Sequence, residues 1–332
     1  MTVKDEVLKT LENNRSRHIS GEEISEKIGV SRAAVWKAVK ALREEGYNIE
    51  AVTNKGYAMA ESGQLVSEEL LCRALGPKLK RNGVFCYDST DSTNLQAKRL
   101  MLEGEIRHGS VVFANRQTAG RGRLGRSFNS PEQGIYVSIV VKPDFDMSKS
   151  VLVTVAAAVA VADAIEAVCG QDAGIKWVND IYIGDLKVCG ILTEAETDFE
   201  TGIIDSLIIG IGVNTSTAGF PAELKKIAGC VNAEDARTKA DLTARITENT
   251  LANVAEISEG GQPGFMARYR SKSILIGREI MVYKGIYRED PTRELGGIPA
   301  RVEGIDDEGG LMVAYEDGRR ETLTSGEVSI RL

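Results

Sequence analysis

Between Gly120 and Arg126 the chain reads Gly-Arg-Gly-Arg-Leu-Gly-Arg, and no long regular element can run through that stretch. Glycine frees the backbone and lets its amides come close to a ligand. Arginine offers a planar, permanently charged fork that fits carboxylates and phosphates. The stretch is therefore predicted to be a loop that wraps an anion, one on which charge builds up during a reaction. It also spells G-x-G-x-x-G, with Asp144 about 20 residues further on, as the dinucleotide fingerprint requires. That fingerprint must open a helix, and Pro131 and Gly134 break any helix here. The bland alternative is a solvated basic loop, which has no need of alternating glycines.

A chain of 332 residues has room for two or three domains and a sizeable core. Its apolar content of 42% and charged content of 27% are those of a soluble globular protein. The net charge of −7 is unevenly spread, because residues 1–60 carry 10 Lys or Arg against 9 Asp or Glu. Such a near-neutral N-terminal region can still present a basic face. Cys72, Cys86, Cys169, Cys189 and Cys230 form no C-x-x-C pair and are predicted to be buried, reduced thiols of a cytoplasmic protein. The N-terminus has no secretory apolar segment. The apolar run from Val151 to Ala162 is too short to span a bilayer and reads as a buried helix. His18 and His108 lie far apart, which argues against a histidine-based metal site or a Ser-His-Asp triad.

Residues 1–62 read as a winged helix-turn-helix, the first of three domains. Val7, Leu8 and Leu11 mark a short amphipathic helix. Ser20 and Glu23 have capping-box spacing ahead of a helix that ends at Gly29. After a very short turn, Ser31 caps a second helix running to about Glu45 and closed by Gly46. Val35, Val39 and Leu42 face its core side. Arg32, Trp36, Lys40 and Arg43 lie opposite, with Ala33 and Lys37 beside them, a cationic face suited to a major groove. Asn48–Val52 and Tyr57–Met59, joined through Asn54-Lys55-Gly56, make a wing. The predicted DNA-contacting set is Ser31, Arg32, Ala33, Trp36, Lys37, Lys40 and Lys55. Trp36 has two readings of equal weight, packing on the wing or touching DNA. A protein-interaction module is the alternative for the whole region.

Residues 63–272 are predicted to form an α+β domain with a mixed sheet and helices on one face. Its elements are a helix over Ser67–Leu75 stopped by Gly76-Pro77, helices over Ser148–Cys169 and Lys239–Ser258, and strands over Gly83–Tyr87, Ser110–Ala114, Ile135–Lys142, Ile175–Val178, Ile181–Ile183, Lys187–Glu196 and Ile203–Val213. Residues 273–332 show only short strands and turns, including Glu327–Arg331, and suggest a small SH3-like β-barrel. The fold class is multidomain α+β.

Polar chemistry interrupts apolar context at Asp91-Ser92-Thr93-Asn94, at Gln117 with Gly120–Arg126, at Lys176-Trp177-Val178-Asn179-Asp180, at Lys187–Leu192, and at Gly210-Ile211-Gly212-Val213-Asn214. With these motifs in this order, behind a winged helix, the chain resembles the family of bifunctional biotin operon repressors and biotin–protein ligases over nearly its full length. The resemblance implies a two-step reaction. Biotin and ATP give biotinyl-5′-adenylate and pyrophosphate, and the adenylate then acylates a lysine of a biotin carboxyl carrier protein. It further implies Mg²⁺, operator DNA as a partner, and a homodimer when adenylate is bound.

The residues matching the family's biotin positions are Ser92, Thr93, Asn94, Gln117, Arg121, Gly122, Arg123 and Lys187. Those matching its nucleotide side are Arg121, Arg126, Phe128, Lys176, Asn179, Asp180 and Asn214. Arg123 and Lys187 are implied to be catalytic, and Asp180 either helps hold Mg²⁺ or orients a cation. Ser92-Thr93-Asn94 can equally be a plain helix cap, Lys187 a strand-edge lysine and Trp177 a core residue. Two departures stand out. Val178 occupies a position where the family usually has proline, and Phe128 occupies one where it commonly has tryptophan. Three competing readings remain: a lipoate-type ligase, a small-anion sensor with a degenerate enzyme domain, and a ligase whose DNA-binding domain no longer represses.

Overall fold

The computed structural model describes residues 2–14, 17–44, 47, 49–52, 55–59, 64–132, 134–145, 149–197, 204–283, 297–324 and 327–330. The expected helix closure at Gly46, the wing positions Asn48 and Asn54, the helix start at Ser148 and the strand ends Ile203 and Arg331 lie outside them.

The N-terminal unit contains α1 (Val3–Glu12), α2 (Gly21–Ile28), α3 (Arg32–Glu44) and the antiparallel pair β1 (Ile49–Val52) and β2 (Gly56–Met59). Val7, Leu11, Ile24, Val35, Val39 and Leu42 form its core, so the apolar spacing read from the sequence does face inward. Ser20 caps α2 by accepting from the Glu23 N–H at 3.0 Å, and Gly29 ends the helix at φ 72°. The Glu23 carboxylate pairs with Arg17 rather than completing a capping box. Gly56 has φ 102°, and a Cβ there would stand 2.1 Å from the Ile19 carbonyl oxygen, so only glycine lets the wing close onto Ile19.

The body follows with α4 (Glu68–Lys80), β3 (Val84–Tyr87), α5 (Thr93–Leu102), β4 (Val111–Ala114), β5 (Ile135–Val141), α6 (Ser150–Cys169), β6 (Gly174–Lys176), β7 (Asp180–Ile183), β8 (Leu186–Thr197), β9 (Ile204–Val213), α7 (Ala236–Ser258) and α8 (Phe265–Lys272). The sequence expectation ended the first helix at Gly76. In the structure the chain leaves helical geometry there, with φ 71°, and resumes it to Lys80, because proline is tolerated in the first turn of the new segment.

The seven-stranded sheet has the order β3-β4-β5-β9-β8-β7-β6, with β3 and β4 parallel and every other pair antiparallel. Helices cover both faces, not one. α6 and α7 pack on the side of Val137, Ile139, Ile209 and Ile211, while α5 packs Ala97 and Leu100 on Val112, Val140 and Ile208 of the other side. α6 is long and apolar enough to cross a membrane by composition, although its apolar run seemed too short for that in the sequence. It is a core helix: Val153, Ala156, Ala157, Ala160 and Val161 are fully buried, and the Asn253 amide on α7 donates to the Ala156 carbonyl at 3.0 Å. Of the five thiols, Cys72 and Cys189 are buried as expected, whereas Cys86, Cys169 and Cys230 are partly exposed; all five are free.

The last unit has β10 (Glu279–Tyr283), β11 (Ile298–Ile305), β12 (Leu311–Tyr315), β13 (Arg320–Leu323) and β14 (Glu327–Ile330) in one antiparallel sheet of order β13-β12-β11-β10-β14. No closure between its outer strands is present among the described residues. Bonds that seat this sheet on the body include one from Trp177 Nε1 to the Gly309 carbonyl at 2.9 Å and one from Arg270 Nε to the Ile305 carbonyl at 2.9 Å.

The N-terminal unit is also tied down. The Asn115 side chain holds both backbone groups of Val66, at 2.9 and 3.0 Å, and Ser67 Oγ donates to the buried Glu12 carboxylate at 2.9 Å. Tyr47 donates to Asp88 at 3.1 Å. Lys239 on α7 is buried and gives its ammonium to the Gln64 carbonyl at 2.8 Å. Burial holds its pKa down to about 8, against the pull of Asp235 and Glu234. The unfolded chain keeps an ordinary lysine near ~10.4, so it binds that proton more tightly than the folded one. Stability therefore rises with pH between about 8 and ~10.4. Lys239→Met should remove this rise. Urea unfolding of both proteins across that range checks it, and a difference between them that is independent of pH would refute the assignment.

Candidate functional site

The site's floor follows from the period of the central strands. Val137 on β5, Ile209 and Ile211 on β9, and Cys189 and Ile191 on β8 point into the core beneath α6 and α7. The alternate positions, Ser138, Gly210, Gly212, Gly190 and Leu192, face the other way and lie side by side in register. The three glycines make room. A Cβ on Gly210 would stand 2.4 Å from Asn94 Oδ1, and one on Gly212 2.5 Å from the Phe128 ring. A cavity of about 370 Å³ opens above them, within the range that encloses a small ligand.

One wall is polar and neutral. Thr93 N–H donates to Gln117 Oε1 at 2.8 Å, and Gln117 Nε2 donates to Ser130 Oγ at 3.0 Å. Ser138 Oγ donates to Asn94 Oδ1 at 2.6 Å and lies 2.8 Å from Thr93 Oγ1. Asn94 Nδ2 donates to Glu194 at 2.6 Å, and Lys98 bridges Glu194 and Glu196 at 3.0 and 2.8 Å. Ser92 occupies the N-cap position of α5 but makes no side-chain cap bond, so the plain-cap reading does not hold for its hydroxyl. Its backbone N–H is held by Asp91 at 2.7 Å. The Arg99 guanidinium beside that carboxyl brings its pKa down to about 2.

The opposite wall is cationic. Gly122 N–H donates to the Arg126 carbonyl at 2.7 Å and Phe128 N–H to the Gly120 carbonyl at 2.8 Å, closing the loop around one 3-10 turn, Arg123–Gly125. Arg123 donates to Asn179 Oδ1 at 3.2 Å, and Asn179 Nδ2 donates to the Ile191 carbonyl at 2.8 Å. The Lys187 ammonium lies 2.6 Å from Asp180 Oδ1 as an ion pair. Lys176 sits over the Tyr182 ring at 5.8 Å, and burial pushes that phenol up to about 12. Arg121, Arg123, Arg126, Lys176 and Lys187 thus line one cavity in which, among the described residues, Asp180 is the one lining carboxylate. Five cations against one carboxylate favour a polyanion.

Every small-molecule site residue expected from the sequence lines this cavity except Asn214. Asn214 is buried and spends its amide on the Gly229 carbonyl at 3.0 Å, with its N–H on the Val188 carbonyl at 2.8 Å, so it braces the strand that carries Lys187. Trp177 is buried, as expected, and also lines the cavity. The expected list lacked Gly190, Gly210 and Gly212, which glycine at alternate positions of an apolar strand had signalled. Tyr283 and Val328 were also missed. They come from the C-terminal sheet, and no local pattern brings them here. Among the described residues no cluster of three His, Cys, Asp or Glu side chains is placed to hold a metal ion.

On α3, Ser31, Arg32, Ala33, Trp36, Lys37 and Lys40 are exposed on one side, with Lys55 exposed on the wing. Arg43 leaves that face, since its Nε donates to the Ile49 carbonyl at 2.7 Å. Trp36 is 56% exposed, too open to be packed beneath the wing.

Residues 4–58 match the HTH domain family, residues 86–214 the biotin/lipoate A/B protein ligase family, and residues 293–331 the biotin protein ligase C terminal domain. Over 331 residues the chain is 34% identical to the bifunctional ligase/repressor BirA of Bacillus spizizenii, covering 98% of each. The chain belongs to this ligase/repressor family. The Escherichia coli ligase/repressor BirA is 28% identical over 94% of this chain and 92% of its own. Among solved structures, the biotin protein ligase from Aquifex aeolicus in complex with biotin and ATP is similar at a TM-score of 0.60 and 27% identity, over 75% of this chain and 98% of that one.

For this ligase/repressor the seat of Phe128 between Gly212 and Gly190 anchors the arginine loop. Gly212→Ala should unseat the ring and speed tryptic cleavage within Gly120–Arg126 several-fold, with little change in thermal midpoint. Cleavage at the wild-type rate would show that the loop is held elsewhere.

Proposed function

We propose that this protein is an ATP-dependent biotin–protein ligase and a biotin-responsive transcriptional repressor. The observation that carries the reading is the single cavity in which a neutral, hydrogen-bonding wall faces five cations. A ureido ring with an aliphatic tail fits the first wall and the glycine floor, and a carboxylate meeting a triphosphate fits the second.

In the first step a biotin carboxylate oxygen attacks the α-phosphorus, and the bond from that phosphorus to the bridging oxygen of pyrophosphate breaks. The protein needs no nucleophile of its own. Its task is to bring two anions together and stabilise the charge that moves onto the leaving group. Arg121, Arg123 and Lys187 do this, and Arg126, Lys176, Asn179 and Phe128 hold the nucleotide. Ser92, Thr93, Asn94 and Gln117 position the ureido end. In the second step the carrier lysine's neutral amine attacks the acyl carbon, AMP leaves, and the amine loses its proton.

Asp180 fits as a supporting ligand for Mg²⁺, an ion that keeps several waters and takes one or two carboxylates with substrate phosphates. Bound there, the ion would neutralise charge on the triphosphate.

We read the domain limits as 1–62, 63–272 and 273–332, and the last domain as an SH3-like barrel from its strand order. The partners are a biotin carboxyl carrier protein in the cytoplasm and, for an adenylate-bound homodimer, operator DNA. Two copies are needed because one recognition helix makes few base contacts.

Arg123→Ala should reduce adenylate formation by ~10²–10³, the usual loss on removing a preorganised donor, with an unchanged fold. Pyrophosphate release at the wild-type rate would remove Arg123 from the mechanism. Wild-type operator affinity should rise when biotin and ATP are added and fall again when carrier protein consumes the adenylate. A gel shift that ignores both ligands would leave the ligase standing without the switch.

A further inference from the structure

Trp36 is an exposed aromatic that the chemistry of the ligase does not use. It lies one turn into α3, outside the buried stripe of Val35, Ala38, Val39 and Leu42. More than half of its surface is open, and its recorded neighbour on the ring is the Lys40 ammonium at 5.8 Å from the centroid. An exposed indole presents a flat apolar body together with an N–H donor to whatever meets this helix. The surroundings say with what. Between Arg32 and Arg43 the helix carries four cations and no carboxylate, and Arg32, Lys37 and Lys40 share the exposed side with Trp36. A second copy of this face would set cations against cations, whereas a duplex would meet them with phosphates.

We propose that Trp36 is a specificity-determining residue of the recognition helix, which reads the 5-methyl group of a thymine in the major groove by apolar contact. The proposal rests on the repressor reading and deepens it. In helix-turn-helix docking the N-terminal residues of the second helix reach base edges, and Trp36 stands about 6 Å along the axis from Arg32 at the helical rise. The thymine methyl is the one apolar group that a base pair offers in that groove. Indole supplies a flat apolar surface and a donor, so it cannot accept from the amino groups of adenine or cytosine. Ala33, also exposed and one turn back on the same side, leaves the indole room to lie against the base edges. Lys40, 5.8 Å from the ring centroid and 3.8 Å from the exposed Glu44 carboxylate, can exchange that weak surface pair for a flanking phosphate. Arg32 and Lys37 fix affinity, and Trp36 fixes preference.

The test compares full-length wild type with Trp36→Ala and Lys37→Ala, each with biotin and ATP present. Bound duplexes are selected from a random pool. Wild type should show one half-site position with a thymine preference that Trp36→Ala loses. Replacing that thymine by deoxyuridine should weaken wild type about 5- to 10-fold, the low end for one base-edge contact, and should leave Trp36→Ala unchanged. Lys37→Ala should keep the preference and lower the salt slope by about one unit. Because Trp36 is exposed and Trp177 buried, acrylamide quenching of wild-type fluorescence should fall when duplex binds. If Trp36→Ala selects the same sequences as wild type, or if deoxyuridine weakens both equally, the proposal is overturned while the repressor reading stands. If wild type selects no sequence from the pool, both are overturned.

Discussion

The site depends on the two-faced chemistry of three adjacent strands. On β5, β9 and β8 one set of alternate residues is large and apolar, and it is buried beneath α6 and α7. The other set is Ser138, Gly210, Gly212 and Gly190, and it supports the cavity. Glycine within a strand weakens it, because the residue has no side chain to pack and loses more chain entropy on folding. The buried face offsets this, at about 1.5–3 kcal/mol for each fully buried Val, Ile or Leu side chain. Strength on one face permits emptiness on the other. The emptiness is then filled from outside by Asn94 against Gly210 and by the Phe128 ring against Gly212.

That division explains what the sequence could and could not disclose. The recognition helix was legible because Val35, Val39 and Leu42 repeat on one side and its start is marked by Ser31, signals that act within a few residues. The arginine loop was legible because glycine and arginine together have few other uses. Helices on both faces of the sheet were not legible. α5 is short, and only its contacts with Val112, Val140 and Ile208 reveal which side it covers. Asn214 read as a ligand contact because it ends an apolar strand in a polar amide. The structure shows that same amide bracing the Lys187 strand, and a sequence motif looks alike in both cases. Tyr283 and Val328 reach the cavity from a separate sheet, a placement that only tertiary packing supplies.

The cationic wall has its own internal logic. Arg121, Arg123, Arg126, Lys176 and Lys187 crowd one cavity, and like charges at such spacing repel even at an effective dielectric constant of about 20. Contacts within the site moderate this. Asp180 lies against Lys187, and Asn179 Oδ1 accepts from Arg123. Neither partner satisfies its cation fully. Lys187 has three N–H donors and one carboxylate oxygen against it, and Arg123 engages a neutral oxygen at 3.2 Å. Both cations are thus held in position while keeping donor capacity for a stronger acceptor. A phosphate entering the cavity gains those donors and also relieves the mutual repulsion.

The winged helix and the arginine loop share a support. Asp88 takes the Tyr47 hydroxyl, and two residues later Thr90 begins a stitched segment. Thr90 N–H donates to the Arg116 carbonyl at 3.2 Å, Thr118 N–H to the Thr90 carbonyl at 2.9 Å, and Ala119 N–H to the Asp91 carbonyl at 2.9 Å. Ala119 leads directly into Gly120, and Asp91 directly into Ser92. One short stretch of backbone therefore carries the seat of the N-terminal unit, the start of the neutral wall and the approach to the cationic loop. A ligand can shift a conformational equilibrium only by binding its two states unequally. The backbone that leads into the arginine loop and the neutral wall is thus bonded to the same short stretch that receives Tyr47 of the winged helix.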